Sequence, residues 1–307
     1  MVDVAIVGGG IAGLTAANLL AARGVDVAVF DKVEEVKYRE VHHGADLVLD
    51  GGGGEALARL QDKVHTLGVL IYQFEITGIL RDTEGYSLYC GNYRFPARAV
   101  ILANGRVPRL PSVSAGAATL ARAAVFDIAE ARRRFVGRRV AVLGDARVFS
   151  AAVALQDITA ALHILPNGVS FDEKNPTVSR LLSAHASVLH RNVRLSSAGG
   201  EGALQTLRVL RDLDGGTYDI HVEGVLVLSD YAPQNAAFSD ILPLDGMGFV
   251  RAGQNCRTAL AGLFAAGDTR AKPHRGLFAA LSDGVAAAQS ALSYLSPYLA
   301  ARQYFRY

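Results

Sequence analysis

The chain has 307 residues, half of them hydrophobic, and its 31 Lys and Arg against 29 Asp and Glu leave a net charge of +2. That is enough to bury one large or two medium cores, and the charge is too small and too evenly spread for a nucleic-acid binder. Two cysteines argue against a disulfide-stapled secreted protein. With no charged leader and no apolar run of membrane-spanning length, the expectation is a soluble cytoplasmic α/β protein.

The first predicted elements are a strand, Val4 to Val7, the turn Gly8-Gly9-Gly10-Ile11-Ala12-Gly13, an Ala/Leu-rich helix, and a second strand, Val27 to Phe30, closed by Asp31 and Lys32. This is a dinucleotide-binding pattern in its full strand–turn–helix–strand–acid context. One glycine makes the tight bend, a second admits the pyrophosphate to the backbone, and a third lets helix and strand pack closely. The helix N-terminus offers unpaired amides to phosphate, and the acid accepts from a ribose.

A loop over 34–54 follows, containing the adjacent His42 and His43 and ending in Gly51 to Gly54. The glycine run lacks the lysine and hydroxyl of a P-loop and reads as a hinge or helix lead-in. Neighbouring histidines alternate faces and no further ligand completes a set, so no metal site is expected. An amphipathic helix is predicted over 55–67, with Leu57, Leu60, Val64 and Leu67 on one face. A short strand follows at 69–71, then a small antiparallel meander around 74–79, 86–89 and 93–95. A buried strand spans Ala99 to Ala103 and is closed by Asn104-Gly105, Pro108 and Pro111.

Residues 140–167 slide onto residues 4–31 without a gap, as a second copy of the same motif. In that overlay Gly8 meets Gly144, but Gly10 meets Ala146, Gly13 meets Phe149 and Asp31 meets Asn167. Asp145 adds a carboxylate beside the expected phosphates, so the second copy is degenerate. Further strands are expected near 186–189 and 224–228, with Tyr231-Ala-Pro233 as a return crossing. The chain then closes with a strand over 262–266, Gly267-Asp268, and a helix over 277–295. The last five residues, Gln303 to Tyr307, are unusually aromatic for a tail. The domain plan is therefore 1–110 with 230–307, and 111–229 inserted between them.

This plan, with Ala265-Ala266-Gly267-Asp268 near its end, resembles the low-molecular-weight thioredoxin reductases of the pyridine nucleotide–disulfide oxidoreductases. The resemblance covers nearly the whole chain. It implies an α/β fold of two Rossmann-like domains, the first discontinuous and binding FAD, the second inserted and of NAD(P)-binding type. It also implies a homodimer. The cofactor would lie on Gly8, Gly10, Ile11, Ala12 and Gly13, with Asp31 and Lys32 at the ribose and Ala103, Asn104 and Gly105 alongside. Gly267 and Asp268 would meet the ribitol, and Arg275, Gly276 and Leu277 the flavin ring. His274 and the His42-His43 pair would fall near the flavin.

Three departures separate the chain from the family. The stretch 112–144, where the family carries its Cys-x-x-Cys, has no cysteine, and Cys90 and Cys256 are far apart in sequence. Dithiol exchange needs two adjacent thiols, which excludes conventional thioredoxin reduction. The second glycine turn is damaged, and Leu165-Pro166-Asn167-Gly168 stands where the family clamps the NADPH 2′-phosphate with arginines. The leading expectation is an FAD-dependent oxidoreductase with a protein or small-molecule electron donor, and with no catalytic residue assigned. Alternatives are an NAD(P)H-dependent diaphorase or ferredoxin–NADP reductase-like enzyme, and a flavin-binding sensor or scaffold without turnover.

Overall fold

The computed structural model describes residues 1–32, 52–167, 171, 175–183 and 187–304. The chain opens with β1 (Val2–Val7), α1 (Ile11–Ala21), β2 (Val27–Phe30), α2 (Gly52–Thr66), β3 (Leu70–Tyr72), β4 (Gly78–Arg81), β5 (Tyr86–Cys90), β6 (Tyr93–Leu102) and β7 (Arg106–Pro108). There follow α3 (Ala117–Ala123), β8 (Ala124–Val125), α4 (Ile128–Arg134), β9 (Arg139–Gly144), α5 (Val148–Leu155), β10 (Ala161–Leu165), α6 (Pro176–Leu182) and β11 (Ser187–Leu189). The rest is β12 (Val193–Gly199), β13 (Thr206–Arg211), β14 (Thr217–His221), β15 (Gly224–Leu228), β16 (Tyr231–Pro233), β17 (Leu263–Ala265) and α7 (Leu277–Tyr304). Two compact units result: Met1–Val107 with Ala232–Tyr307, and Pro108–Tyr231.

In the first unit β3, β2, β1, β6 and β17 run parallel, and β5 and β4 extend the sheet antiparallel from β6. Val4 and Ile6 share one core with Ala99, Ile101, α1 and α7. Ala5 and Val7 turn to a second core with Val100, Leu102 and Leu88. A parallel sheet covered on both faces needs such continuous apolar strands. Helix α1 is buried for most of its length, which fits its nearly all-apolar sequence.

The second unit repeats the plan, with parallel order β11-β10-β9-β15-β8 and a separate antiparallel β12-β13-β14 layer. Val140 and Val142 face one core, and Ala141 and Leu143 the other. Local signals start its helices. Asp127 accepts the Glu130 amide at 2.7 Å to cap α4, and Asn175 caps α6 ahead of Pro176.

Four expectations are corrected. The segment 93–95 and the strand from Ala99 are one ten-residue strand, β6, whose first half pairs with β5 and second half with β1. Helix α2 begins at Gly52, so Gly52 to Gly54 are its first turn, with Glu55 at the favourable N-terminal end. Leu67 falls beyond that helix and is exposed. Helix α7 does not stop at 295 but runs through Pro297 to Tyr304. A proline there removes the amide that would bond the Ser293 carbonyl; the Ser296 hydroxyl donates to that carbonyl at 3.0 Å instead. Gln303 and Tyr304 are thus helical, while 305–307 lie outside the described residues. Among the described residues no helix is long and apolar enough to cross a membrane.

Candidate functional site

The C-terminal ends of β1, β2, β6 and β17 converge on the first glycine turn, where open α/β sheets take their ligands. Gly8 has φ +108°, and a Cβ there would strike the Ala103 carbonyl. Gly13 sits so close that a Cβ would strike the carbonyl of Gly8. Gly10, by contrast, faces open space and starts α1 with no side-chain cap. So Gly8 and Gly13 are there for backbone and packing, and Gly10 leaves room over uncapped amides. Ile11 and Ala12 are buried beneath the turn.

Asp31 stands at the end of β2, and its Oδ1 accepts the Gly9 amide at 2.8 Å. A Cβ on Gly9 would press on that carboxylate. Sequence reasoning passes over Gly9, because its constraint comes from a side chain 22 residues away. Lys32 is 3.8 Å from Glu75. From the end of β6, Asn104 donates to the Gln234 carbonyl at 2.9 Å and to Asn235 Oδ1 at 3.0 Å. Its own Oδ1 is buried without a partner among the described residues. Gly105 follows at φ +64°.

After β17, Gly267 (φ +78°) packs against Ala12, and Asp268 follows in a single 3-10 turn. Asp268 accepts from Arg106 Nε at 3.0 Å and from the Gly276 amide at 3.2 Å. The Arg275 guanidinium carbon sits over the Phe249 ring, 4.0 Å from its centre, and Leu277 is buried at the start of α7. Beneath the turn is a group the sequence did not reveal. Asp283, on α7, accepts from the Gly267 amide, from Arg270 at 2.7 and 3.2 Å, and from Lys272 at 2.8 Å. The expected site residues Gly8, 10–13, 31–32, 103–105, 267–268 and 275–277 all belong to the first unit. His274 is exposed beside them, and His42 and His43 lie outside the described residues.

Cys256 is fully buried, and burial pushes its thiol up to about 12. It lies in the core on the α1 side of the sheet, whereas Cys90 borders the opposite core. Among the described residues no group of three or more His, Cys, Asp or Glu could hold a metal.

The second turn also opens on a positive-φ glycine but enters its helix differently: Gly10 precedes α1 in extended backbone (φ −80°, ψ −175°), whereas Arg147 precedes α5 in helical backbone (φ −64°, ψ −18°). Gly144 has φ +153°, and a Cβ would strike the Leu228 carbonyl. Asp145 does not stand unpaired, as a simple repelling charge would. It accepts the Arg147 amide at 2.9 Å and clasps the Arg147 guanidinium at 2.7 to 3.0 Å. These bonds hold the Asp145 carboxyl below its usual range. Phe149 is buried against Phe171. Asn167, opposite Asp31 in the overlay, is turned to the Leu195 amide at 3.2 Å.

A discontinuous parallel-sheet unit with an open glycine turn, and an inserted unit of the same architecture, define a two-domain Rossmann-like α/β protein. The model of the pyridine nucleotide-disulphide oxidoreductase family matches residues 2–293, and the chain belongs to that family of oxidoreductases. It is 24% identical to the thioredoxin reductase of Treponema pallidum, covering 95% of this chain and 97% of that one. It is 27% identical to that of Listeria innocua, over 95% and 93%. Its fold is similar to the crystal structure of Lactococcus lactis thioredoxin reductase, with TM-score 0.74, 19% identity, and 97% and 100% coverage.

Proposed function

We propose that the chain is an FAD-dependent oxidoreductase that works without a redox-active dithiol and without NADPH in its second unit. The contrast between the two glycine turns carries this reading. At the first, uncapped α1 amides, the open face of Gly10 and the unpartnered Asn104 Oδ1 fit a dinucleotide. Gly8 to Gly13 would hold its pyrophosphate, Asp31 the adenosine ribose, and Asp268 the ribitol hydroxyls. Bound FAD supplies the redox centre, and the protein binds, orients and tunes it. At the second turn the Asp145 carboxylate already takes the Arg147 amide and closes an ion pair with its guanidinium, so a pyrophosphate would meet a used donor.

The two thiols argue the same way, since Cys256 is buried and protonated and Cys90 borders the other face of the sheet. Electrons would then come from a protein donor such as a ferredoxin, or from a small reductant reaching the flavin directly. The test is an anaerobic titration of the FAD-loaded protein with NADPH and then NADH, following visible absorption. Neither should bleach the flavin, whereas dithionite should. Prompt bleaching at stoichiometric NAD(P)H would overturn the reading.

A further inference from the structure

The crossing from β11 to β12 carries the chain of the second unit from its parallel sheet to its antiparallel layer. His190 stands at that crossing, buried, with its amide donating to the Ile164 carbonyl of β10 at 2.9 Å. Two residues on, Asn192 turns the chain at φ +51°, and its carbonyl accepts the Asp212 amide, just past β13, at 2.8 Å. The His190 ring joins the two sides. Its Nε2 lies 3.0 Å from Nδ1 of His163 on β10, and its Nδ1 lies 2.7 Å from the hydroxyl of Tyr218 on β14. Burial lowers both histidines below the usual imidazole value. The charges that act on the chain from neighbouring strands are Arg139 of β9, on His163, and Arg211 of β13, on Tyr218. Both are cations and oppose a further positive charge.

Each of the two contacts needs one proton and one lone pair. With both rings neutral, each imidazole has one N–H and one lone pair, so the chain of bonds can run from Tyr218 to His163 or the reverse. One added proton is accommodated, because a lone pair still faces an N–H whichever ring takes it. A second puts the Nε2–H of His190 against the Nδ1–H of His163, donor to donor, at a separation that suits one shared proton. We infer that the chain is an acid-released latch, which holds the crossing and the Tyr218 end of the antiparallel layer to the parallel sheet until it takes up a second proton. The His190 ring must then leave its buried place for water, and Tyr218 loses its tie to β10 and β11. The opened ring takes up protons more readily than the closed one, so opening is suppressed at high pH and favoured as pH falls.

Amide exchange in the full chain tests this at about pH 7 and about pH 5, with rates corrected for intrinsic exchange. The amides of 187–190 and 217–218 should lose about tenfold or more of their protection at the lower pH. They should then exchange faster than 140–143 and 225–228, which lie in β9 and β15 at the centre of the parallel sheet. Tyr218→Phe cuts the tie to the layer and keeps both imidazoles; it should speed the crossing amides by about threefold or more at the higher pH and leave the sheet centre unchanged. His190→Asn removes the titrating ring and should bring the change between the two pH values to within about twofold. Equal protection of crossing and sheet centre at the lower pH overturns the inference. So does a crossing unaltered in Tyr218→Phe, or a pH response of His190→Asn as large as that of the wild type. Should one variant fail to fold, the other decides together with the wild-type comparison.

Discussion

Asp283 shows how much a single side chain can hold together without announcing itself. It is the only acidic residue of α7, set in an otherwise small and apolar run, and that isolation is its one sequence signal. It fixes Gly267 through its amide and neutralises both Arg270 and Lys272. Breaking a buried pair by removing one partner leaves uncompensated charge, so Asp283→Asn should cost about 3 kcal/mol or more. Denaturant unfolding checks this; a loss under about 1 kcal/mol would contradict it. The turn of Gly8, Gly10 and Gly13 was legible in the sequence because a local backbone pattern carries it, whereas Asp268 was read from the family resemblance. Gly9, Arg106 and Asp283 were not legible, because each is defined by contacts with residues distant in the chain.

At the scale of elements, β1–α1–β2 and β9–α5–β10 share a strand–turn–helix–strand plan with a positive-φ glycine, and differ in how the chain enters the helix and in what stands there. Two glycine substitutions separate backbone need from ligand need. Gly144→Ala forces a methyl into the Leu228 carbonyl at a positive φ and should cost about 2 kcal/mol in thermal unfolding. Gly10→Ala meets open space at φ −80° and should leave stability within about 0.5 kcal/mol while weakening FAD retention. A Gly10→Ala protein that holds FAD as tightly as wild type would remove Gly10 from the site. Periodicity located both βαβ units, because buried parallel strands are unmistakably apolar. It split β6 in two, because that strand is exposed or half-buried over Tyr93–Pro96 and continuously buried only from Ala99, its pairing passing from β5 to β1 at Ala97. It also ended α7 early, because the hydroxyl of Ser296 repairs the gap that Pro297 leaves, and side-chain repair is invisible to pattern.

For the whole molecule, each unit has its own pair of cores, and the second contains a proton-sensitive chain absent from every sequence expectation. Tyr218 Oη lies 2.7 Å from His190 Nδ1, and His190 Nε2 lies 3.0 Å from His163 Nδ1. Burial, and then His163, push His190 down to about 4 from 6.5. The unfolded chain therefore takes up a proton near pH 6.5 that the folded unit refuses until about pH 4. Stability is full above pH 6.5 and declines as pH falls from 6.5 to about 4, by up to about 3 kcal/mol. Hydrogen exchange read over residues 108–231 should show this decline in the full chain, and His190→Asn should flatten it; an unchanged slope in the variant would assign it to other groups. The split course of the first unit also bears on synthesis. The inserted unit is complete by residue 231, whereas the sheet around β6 waits for β17 and α7. On the ribosome the later-numbered unit can close first, leaving β6 with one flank unpaired until the last quarter of the chain emerges, and that interval is when a chaperone has something to hold.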